Sequence, residues 1–238
     1  MSSAARYLAL IPAAGSGSRL GGPQPKQYFP LAGRALIQHT VERLCRLPRI
    51  AEVFVVLSPE DSVFRTLDWG DDSGWLNKLQ PLYCGGSTRA ASVLNGLSAA
   101  YNAFEDDDWV LVHDAARPCL SEADLDRLLD ETRPGDDGSL LAVPLADTLK
   151  RAGEDGQSSG TVSRQALWRA QTPQMFRYAA LLDALQQADL AQVTDEAAAM
   201  ELRGVRPRLV RGSETNLKVT YAQDLELAGW ILRGRDGK

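Results

Sequence analysis

The sequence predicts an α/β fold in which a mostly parallel sheet is covered on both faces by helices. Three observations predict it. Short apolar runs alternate with longer segments of helical periodicity along the 238 residues. Several of these runs are continuously apolar, as befits strands buried on both faces. The loops richest in glycine and charge follow directly after strands, on the edge where sheets of this kind hold their ligands.

The first strand is the run Leu8-Ala9-Leu10-Ile11, and residues 13–18 after it are all small, two of them glycine. Residues 36–47 carry apolar side chains at Leu36, Ile37, Val41 and Leu44, a helical stripe ended by Pro48. Val53-Phe54-Val55-Val56-Leu57 is the second strand and residues 79–84 a weaker third. Gly85-Gly86-Ser87-Thr88-Arg89 leads into a helix whose inner face is Val93, Leu94, Leu97 and Tyr101. The acidic run Glu105-Asp106-Asp107-Asp108 reads as a solvated loop and not as a metal site. Trp109-Val110-Leu111-Val112 is the next strand, running into His113-Asp114-Ala115-Ala116-Arg117-Pro118. Ser121 and Asp124 form a capping box for a helix bearing Leu125, Leu128 and Leu129. A further strand covers residues 139–143.

Beyond Leu145 the pattern changes. Thr148-Leu149-Lys150-Arg151 and Thr161-Val162-Ser163-Arg164 flank a stretch rich in Gly and Ser, which suggests a hairpin too small for its own core. A projecting arm of this kind, at about 145–172, is expected to pack on a second subunit; the other reading is a surface loop. A helix is expected over 177–188. Thr194 reads as an N-cap, with Asp195 and Glu196 in the first turn suiting the helix dipole. Residues 207–211 are strand-like, and 216–220 lead into a last helix at 222–232. With no repeat and no second composition block, residues 1–238 read as one domain.

The first loop is the most informative. Small residues let backbone N–H groups approach a ligand, and a concave row of them binds anions. Arg19 and Lys26 place positive charge on either side, so the segment reads as a triphosphate cradle, although a glycine turn after a strand can be mere punctuation. It is not a Walker loop, for no G-K-[ST] closes it, nor a dinucleotide fingerprint, since Leu20 stands where a third Gly or Ala belongs. The net charge of −5 argues against broad attraction to nucleic acid or an anionic membrane. No apolar run approaches the ~20 residues of a membrane span, and there is no signal-peptide core. Cys45, Cys84 and Cys119 lack a C-x-x-C pattern and read as reduced thiols of a cytoplasmic protein.

His113 and Asp114 could transfer a proton, but a histidine that simply ends the strand is the preferred reading. Asp114, at a strand end opposite a phosphate cradle, is placed to hold Mg²⁺ with substrate phosphates. The other candidates are mostly cations: Arg19, Lys26, Arg89, Arg117, Arg164 and Lys218. Gathered beyond strand ends, they suit phosphoryl or nucleotidyl transfer, where positioning and charge neutralisation supply most of the rate.

The strings Ile11-Pro12-Ala13-Ala14-Gly15-Ser16-Gly17-Ser18-Arg19, Pro25-Lys26-Gln27-Tyr28, Gly85-Gly86 with Arg89 and Ser92, and Val112-His113-Asp114-Ala115-Ala116-Arg117-Pro118 occur in order. So do Asp147-Thr148, Thr172-Pro173-Gln174, Thr194-Asp195-Glu196 and Lys218-Val219-Thr220. Together they closely resemble the 2-C-methyl-D-erythritol 4-phosphate cytidylyltransferase family of the non-mevalonate isoprenoid pathway, over nearly the whole length. The resemblance implies a Rossmann-like three-layer α/β/α domain whose β-arm clasps a homodimer. It implies that CTP and the methylerythritol phosphate react, with Mg²⁺, to give the CDP-linked alcohol and pyrophosphate. Arg19 and Lys26 would stabilise charge on the α-phosphate, and Arg164 and Lys218 would position the acceptor phosphate. Asp114, Arg117, Thr148 and Thr194 match acceptor-side positions, Asp114 also the metal. Ala13, Ala14, Gly15, Gly17, Gly86, Ser92 and Ala115 match positions lining the nucleotide, with Arg89 beside them. Ser87 stands where some relatives carry an acidic residue. The acceptor is already a largely dianionic phosphate monoester, so direct in-line attack needs no general base. A cytidylyltransferase for another polyol phosphate, such as ribitol 5-phosphate, is the nearest alternative.

Overall fold

The computed structural model describes residues 6–15, 24–70, 74–133 and 135–236. Gly17 and Arg19, both expected in the site, lie outside the described residues.

The elements follow in chain order. Strand β1 (Tyr7–Pro12) leads, through a 3-10 turn over Lys26–Tyr28, to a minimal hairpin of β2 (Pro30–Leu31) and β3 (Arg34–Ala35). Then come α1 (Leu36–Cys45), β4 (Ile50–Val56), β5 (Leu79–Leu82), α2 (Arg89–Ala99), β6 (Trp109–Val112), α3 (Glu122–Glu131) and β7 (Gly138–Pro144). The arm is the antiparallel pair β8 (Leu149–Ala152) and β9 (Ser158–Val162). After it run β10 (Trp168–Arg177), α4 (Tyr178–Gln187), α5 (Glu196–Leu202), β11 (Arg208–Arg211) and α6 (Ala222–Asp236).

The central sheet has the order β11-β7-β10-β6-β1-β4-β5. Its neighbours pair parallel except at β10, which runs antiparallel to both β6 and β7. Alternation along the strands divides the core into two layers. Ala9, Ile11, Val53, Val55 and Leu111 face α1 and α3, meeting Ile37, Val41, Leu125 and Leu128. Leu8, Leu10, Phe54, Val56, Val110 and Val112 face the other way, onto Val93 and Leu97 of α2, Leu181 and Leu185 of α4, and Met200 of α5. A third, smaller cluster seats α6 through Ala228 and Leu232 against Leu31, Leu36 and Cys119. The expected three-layer architecture is therefore present, with helices on both faces of one sheet.

Strand β10 departs from expectation: its first residues, 168–172, fall in the span expected for the arm, and no strand is expected over 173–176, which opens on Pro173. A proline inside a central strand removes a ladder hydrogen bond and is normally disfavoured there. Here it falls where the β7–β10 register shifts, between Ala170 and Gln174, so the ladder does not depend on it. The reversal also matters for the site. An antiparallel strand starts where its parallel neighbours end, so Thr172 lies beside the loop that follows β6.

Smaller corrections have local causes. Tyr101 is 62% exposed and not on the inner face of a helix. The helix stops at Ala99, and Phe104 fills the core instead, stacked on Tyr178 at 4.6 Å. The cap of α5 is Asp195, whose carboxylate accepts from the Ala198 N–H at 2.9 Å, so Thr194 stands one residue before it. The acidic run is a loop, but Asp108 is buried, accepting from the Arg6 backbone and guanidinium and from the Glu105 N–H. No helix among the described residues is long and apolar enough to cross a membrane.

Candidate active site

The C-terminal ends of β1, β5 and β6 open onto one crevice. Its larger part has a volume of about 520 Å³ and is lined by Ala13, Ala14, Gly15, Lys26, Gly86, Ser87, Arg89, Ser92, Asp114, Ala115 and Lys218, among others. A smaller cavity of about 160 Å³ adjoins it, lined by Arg89, Asp114, Arg117, Thr172, Gln174, Thr194, Asp195 and Lys218 among others. Arg89, Asp114 and Lys218 line both, so they form the wall between the two.

Backbone placement on the larger side is fixed by hydrogen bonds that continue the sheet past its formal ends. The Ala13 N–H donates to Val56 O at 2.8 Å, and the Gly85 N–H donates to Leu57 O at 2.8 Å. Gly85 has no room for a side chain: a Cβ there would stand 2.2 Å from the Ala14 Cβ and 2.8 Å from Leu57 O. The loops after β1 and β5 therefore touch only because this residue is glycine. The Gly86 N–H is held by Ser92 Oγ at 3.0 Å, and Thr88 caps α2 by accepting from the Ala91 N–H. Lys26 is placed by the short turn that bears it. Gln27, buried next to it, donates to Ala13 O at 2.7 Å, and Tyr28 donates to Asp61 at 2.5 Å. Lys26 Nζ itself donates to Val219 O at 3.2 Å.

Asp114 is the hub of the shared wall. Its Oδ1 accepts from Arg89 Nε at 2.8 Å and its Oδ2 from Lys218 Nζ at 2.7 Å, while Arg117 Nε stands 3.8 Å from Oδ2. Burial disfavours the charged carboxylate, yet Arg89, Lys218 and Arg117 outweigh it and hold Asp114 well below the usual carboxylate range. Burial pulls Arg117 down from its ordinary value, with Asp114 opposing. Its Nη1 donates to Asn216 O at 2.6 Å, but its Nε finds no hydrogen-bond partner among the described residues. That nitrogen is buried against Asp114 Oδ2 at 3.8 Å, while the residue as a whole lines the smaller cavity.

His113 resolves as the strand-ending residue. It is fully buried, and burial lowers its pKa to about 4, so the ring is neutral at pH 7. Arg117 O, 3.1 Å from Nε2, can only accept, which puts the ring proton on Nε2. Thr172 Oγ1 then donates to Nδ1 at 3.0 Å while accepting from the Asp114 N–H at 3.0 Å. With both nitrogens engaged by the protein's own groups, the ring orients the Asp114–Arg117 loop.

Of the residues singled out from sequence, the crevice gathers Ala13, Ala14, Gly15, Lys26, Gly86, Arg89, Ser92, Asp114, Ala115, Arg117, Thr194 and Lys218. It does not gather Thr148 and Arg164. Both are exposed on or beside the arm and line neither cavity. Buried polar residues around the crevice with no site role in the sequence reading include Gln27, Gln171, Thr172, Gln174, Glu196 and Asn216. Their signal is a polar side chain inside an apolar context, and for Glu196 that signal is indistinguishable from a helix-dipole acid.

Comparison with known proteins bears on this crevice. A family model described as 2-C-methyl-D-erythritol 4-phosphate cytidylyltransferase matches residues 7–234. The chain belongs to the 2-C-methyl-D-erythritol 4-phosphate cytidylyltransferase family. The member from Azoarcus sp. (strain BH72) is 55% identical over 232 residues, 98% of this chain and 96% of the relative. That from Nitrosospira multiformis is 55% identical over 229 residues, 95% of this chain and 97% of its own. Among solved structures, a 4-diphosphocytidyl-2C-methyl-D-erythritol synthase aligns with a TM-score of 0.84 at 38% identity, covering 97% of this chain and all of the other. The Francisella tularensis cytidylyltransferase aligns with a TM-score of 0.80 at 33% identity, covering 95% of this chain and 100% of its own. The chain is thus an enzyme of the nucleotidyltransferase class, built on the family's α/β fold.

Proposed function

We propose that this chain is a single nucleotidyltransferase domain that joins CTP to 2-C-methyl-D-erythritol 4-phosphate. The products are 4-diphosphocytidyl-2-C-methyl-D-erythritol and pyrophosphate. The observation that carries the reading is the shared wall. A larger and a smaller cavity meet at Asp114, with Arg89 and Lys218 on its two oxygens and Lys26 and Arg117 close by. Two anionic reactants need such a junction.

The nucleotide takes the larger cavity, against Ala13, Ala14, Gly15, Gly86, Ser92 and Ala115, with Gly17 as a further expected contact. Lys26, together with Arg19, stabilises charge growing on the α-phosphate. The acceptor takes the smaller cavity, its phosphate met by Lys218 and Arg117 and its hydroxyl end by Thr194. An oxygen of the acceptor phosphate attacks the α-phosphorus; the new P–O bond forms as the α–β bridge breaks and pyrophosphate leaves. A phosphate monoester is mostly dianionic at neutral pH, so no side chain has to remove a proton. Preorganised charge supplies the rate.

Mg²⁺ fits this donor set in one way. Asp114 is the sole carboxylate among the described lining residues of the larger cavity, and both its oxygens already accept from cations. Among the described residues no group of three or more His, Cys, Asp or Glu forms a metal cage. An ion carried by the triphosphate, with Asp114 beside it, matches the habit of Mg²⁺ to use few carboxylates and several phosphate oxygens and waters. It would neutralise charge on the departing pyrophosphate.

Thr148 and Arg164 stand outside the crevice of their own chain. In a homodimer clasped by the arm, they reach the acceptor side of the partner's crevice. The test is pyrophosphate release from CTP with methylerythritol phosphate and, separately, ribitol 5-phosphate. Turnover with the first and not the second is expected; the reverse would replace the acceptor. A nucleotidylated enzyme trapped from CTP alone would overturn direct attack.

A further inference from the structure

Glu196 is 1% exposed and carries a charge that the proposed chemistry does not use. Its Oε1 accepts from Arg89 Nη1 at 2.7 Å and its Oε2 from Nη2 at 3.0 Å. The remaining nitrogen of that guanidinium, Nε, is the one that meets Asp114. The contacts form a line through four parts of the fold: Glu196 opening α5, Arg89 opening α2, Asp114 after β6, and Lys218 ahead of α6. All three nitrogens of Arg89 therefore point at carboxylates, although the residue lines the nucleotide cavity.

We propose that Glu196 is a positioning residue for the transfer reaction, and that through it Arg89 serves as a strut for Asp114 and not as a ligand of the nucleotide phosphates. The inference rests on reading this crevice as the reaction site. A guanidinium prefers a bidentate grip, and a triphosphate in the larger cavity offers one as good as a carboxylate does. Without Glu196, both Nη groups are free to turn to that triphosphate, which draws Nε off Asp114. Asp114 and Lys218 then lose their register. Glu196 prevents this in two ways. It occupies the fork, and it offsets charge, since Asp114 alone would otherwise face the three cations Arg89, Lys218 and Arg117. It also ties α5, whose preceding Thr194 and Asp195 line the acceptor side, to the helix that begins at the nucleotide side.

The test is steady-state kinetics in both substrates, with melting temperatures, for Glu196→Gln and for the double variant Arg89→Met with Glu196→Met. In Glu196→Gln, kcat is expected to fall on the order of 10- to 100-fold, as misplacement of a reacting group does. KM for CTP stays the same or falls, and KM for the acceptor rises. The double variant replaces the Arg89–Glu196 pair by apolar side chains, a change folds tolerate well, and leaves Asp114 its contacts with Lys218 and Arg117. It should melt near the wild type while kcat stays low and KM for CTP stays unchanged. A purely structural Glu196 predicts the opposite: the well-folded double variant regains wild-type kcat. A phosphate-binding Arg89 predicts a CTP KM raised tenfold or more in the double variant. Either result, or wild-type kcat in Glu196→Gln, overturns the proposal. If Glu196→Gln does not fold, the double variant alone decides. Failure of the underlying reading would show separately, as absence of pyrophosphate release by the wild type.

Discussion

His113 illustrates how far one side chain's environment sets its behaviour. Its ring is neutral because burial pushes the folded-state pKa to about 4, against an ordinary 6.5. The unfolded chain therefore takes up the proton first as the pH drops. Stability attributable to this residue is full above about pH 6.5 and is lost progressively toward pH 4, in total about 3 kcal/mol. Asp114 acts in a separate window. Its lowered pKa gives stability that is present above the ordinary carboxylate value of 3.8 and is lost only at lower pH. Urea midpoints measured between pH 4 and 7 should slope upward in the wild type and flatten in His113→Gln. An unchanged slope would mean that the histidine titrates normally. In the proposed reaction Lys26 serves catalysis instead. Its side chain sits on a turn already held by Gln27 and Tyr28, so truncation leaves the fold intact. Lys26→Ala should lower kcat/KM by about 10²–10³, the usual cost of one preorganised charge donor, with little change in melting temperature.

At the scale of elements, much is legible from the sequence, and the exceptions share a cause. Strands β1 and β6 and the 53–56 part of β4 are continuous apolar runs because both of their faces are covered, and apolar runs this short bounded by turn residues suit buried strands. The cap of α3 is equally local, since Ser121 accepts from the Asp124 N–H, but the reciprocal half of the expected capping box is not formed because the Asp124 carboxylate accepts from Arg127 instead. Strand β10 escapes a sequence reading because its identity comes from its neighbours. Its proline is tolerable only at a register shift that β7 creates. Glu196 escapes for a similar reason, since its partner Arg89 lies 107 positions away. Local spacing reports local causes and is silent about such pairs. The loops after β1 and β5 are legible as two glycine-rich strings, but the contact between them is not. Gly85→Ala tests that contact. Its Cβ would overlap Ala14 and the backbone of Leu57, neither of which is a flexible side-chain end. The loop must shift, so KM for CTP should rise several-fold or more, while the acceptor KM moves less. An unchanged CTP KM in this variant would mean that close approach of the two loops does not shape the nucleotide side.

The whole molecule raises the question of what the arm does. Its two strands pair with each other, from Leu149 with Val162 to Ala152 with Ser158, and most of their residues are exposed. A hairpin so exposed gains little from burial in its own chain, and two strands alone are marginal in water. Contact with a second copy would supply the missing burial, and a two-fold dimer makes the exchange reciprocal. Under that arrangement each crevice draws Lys26 from one protomer and Arg164 from its partner. Mixed variants can test this without any structure of the dimer. Lys26→Ala and Arg164→Ala should each be nearly inactive alone. Unfolded together and refolded, they should form mixed dimers in which one crevice has both defects and the other has none. With random pairing, about a quarter of all crevices are intact, so activity should recover to about a quarter of the wild-type value. Recovery is impossible if each arm serves its own crevice, because every site then keeps one defect. Once each variant alone is shown to be nearly inactive, the mixing result assigns Arg164 to a protomer.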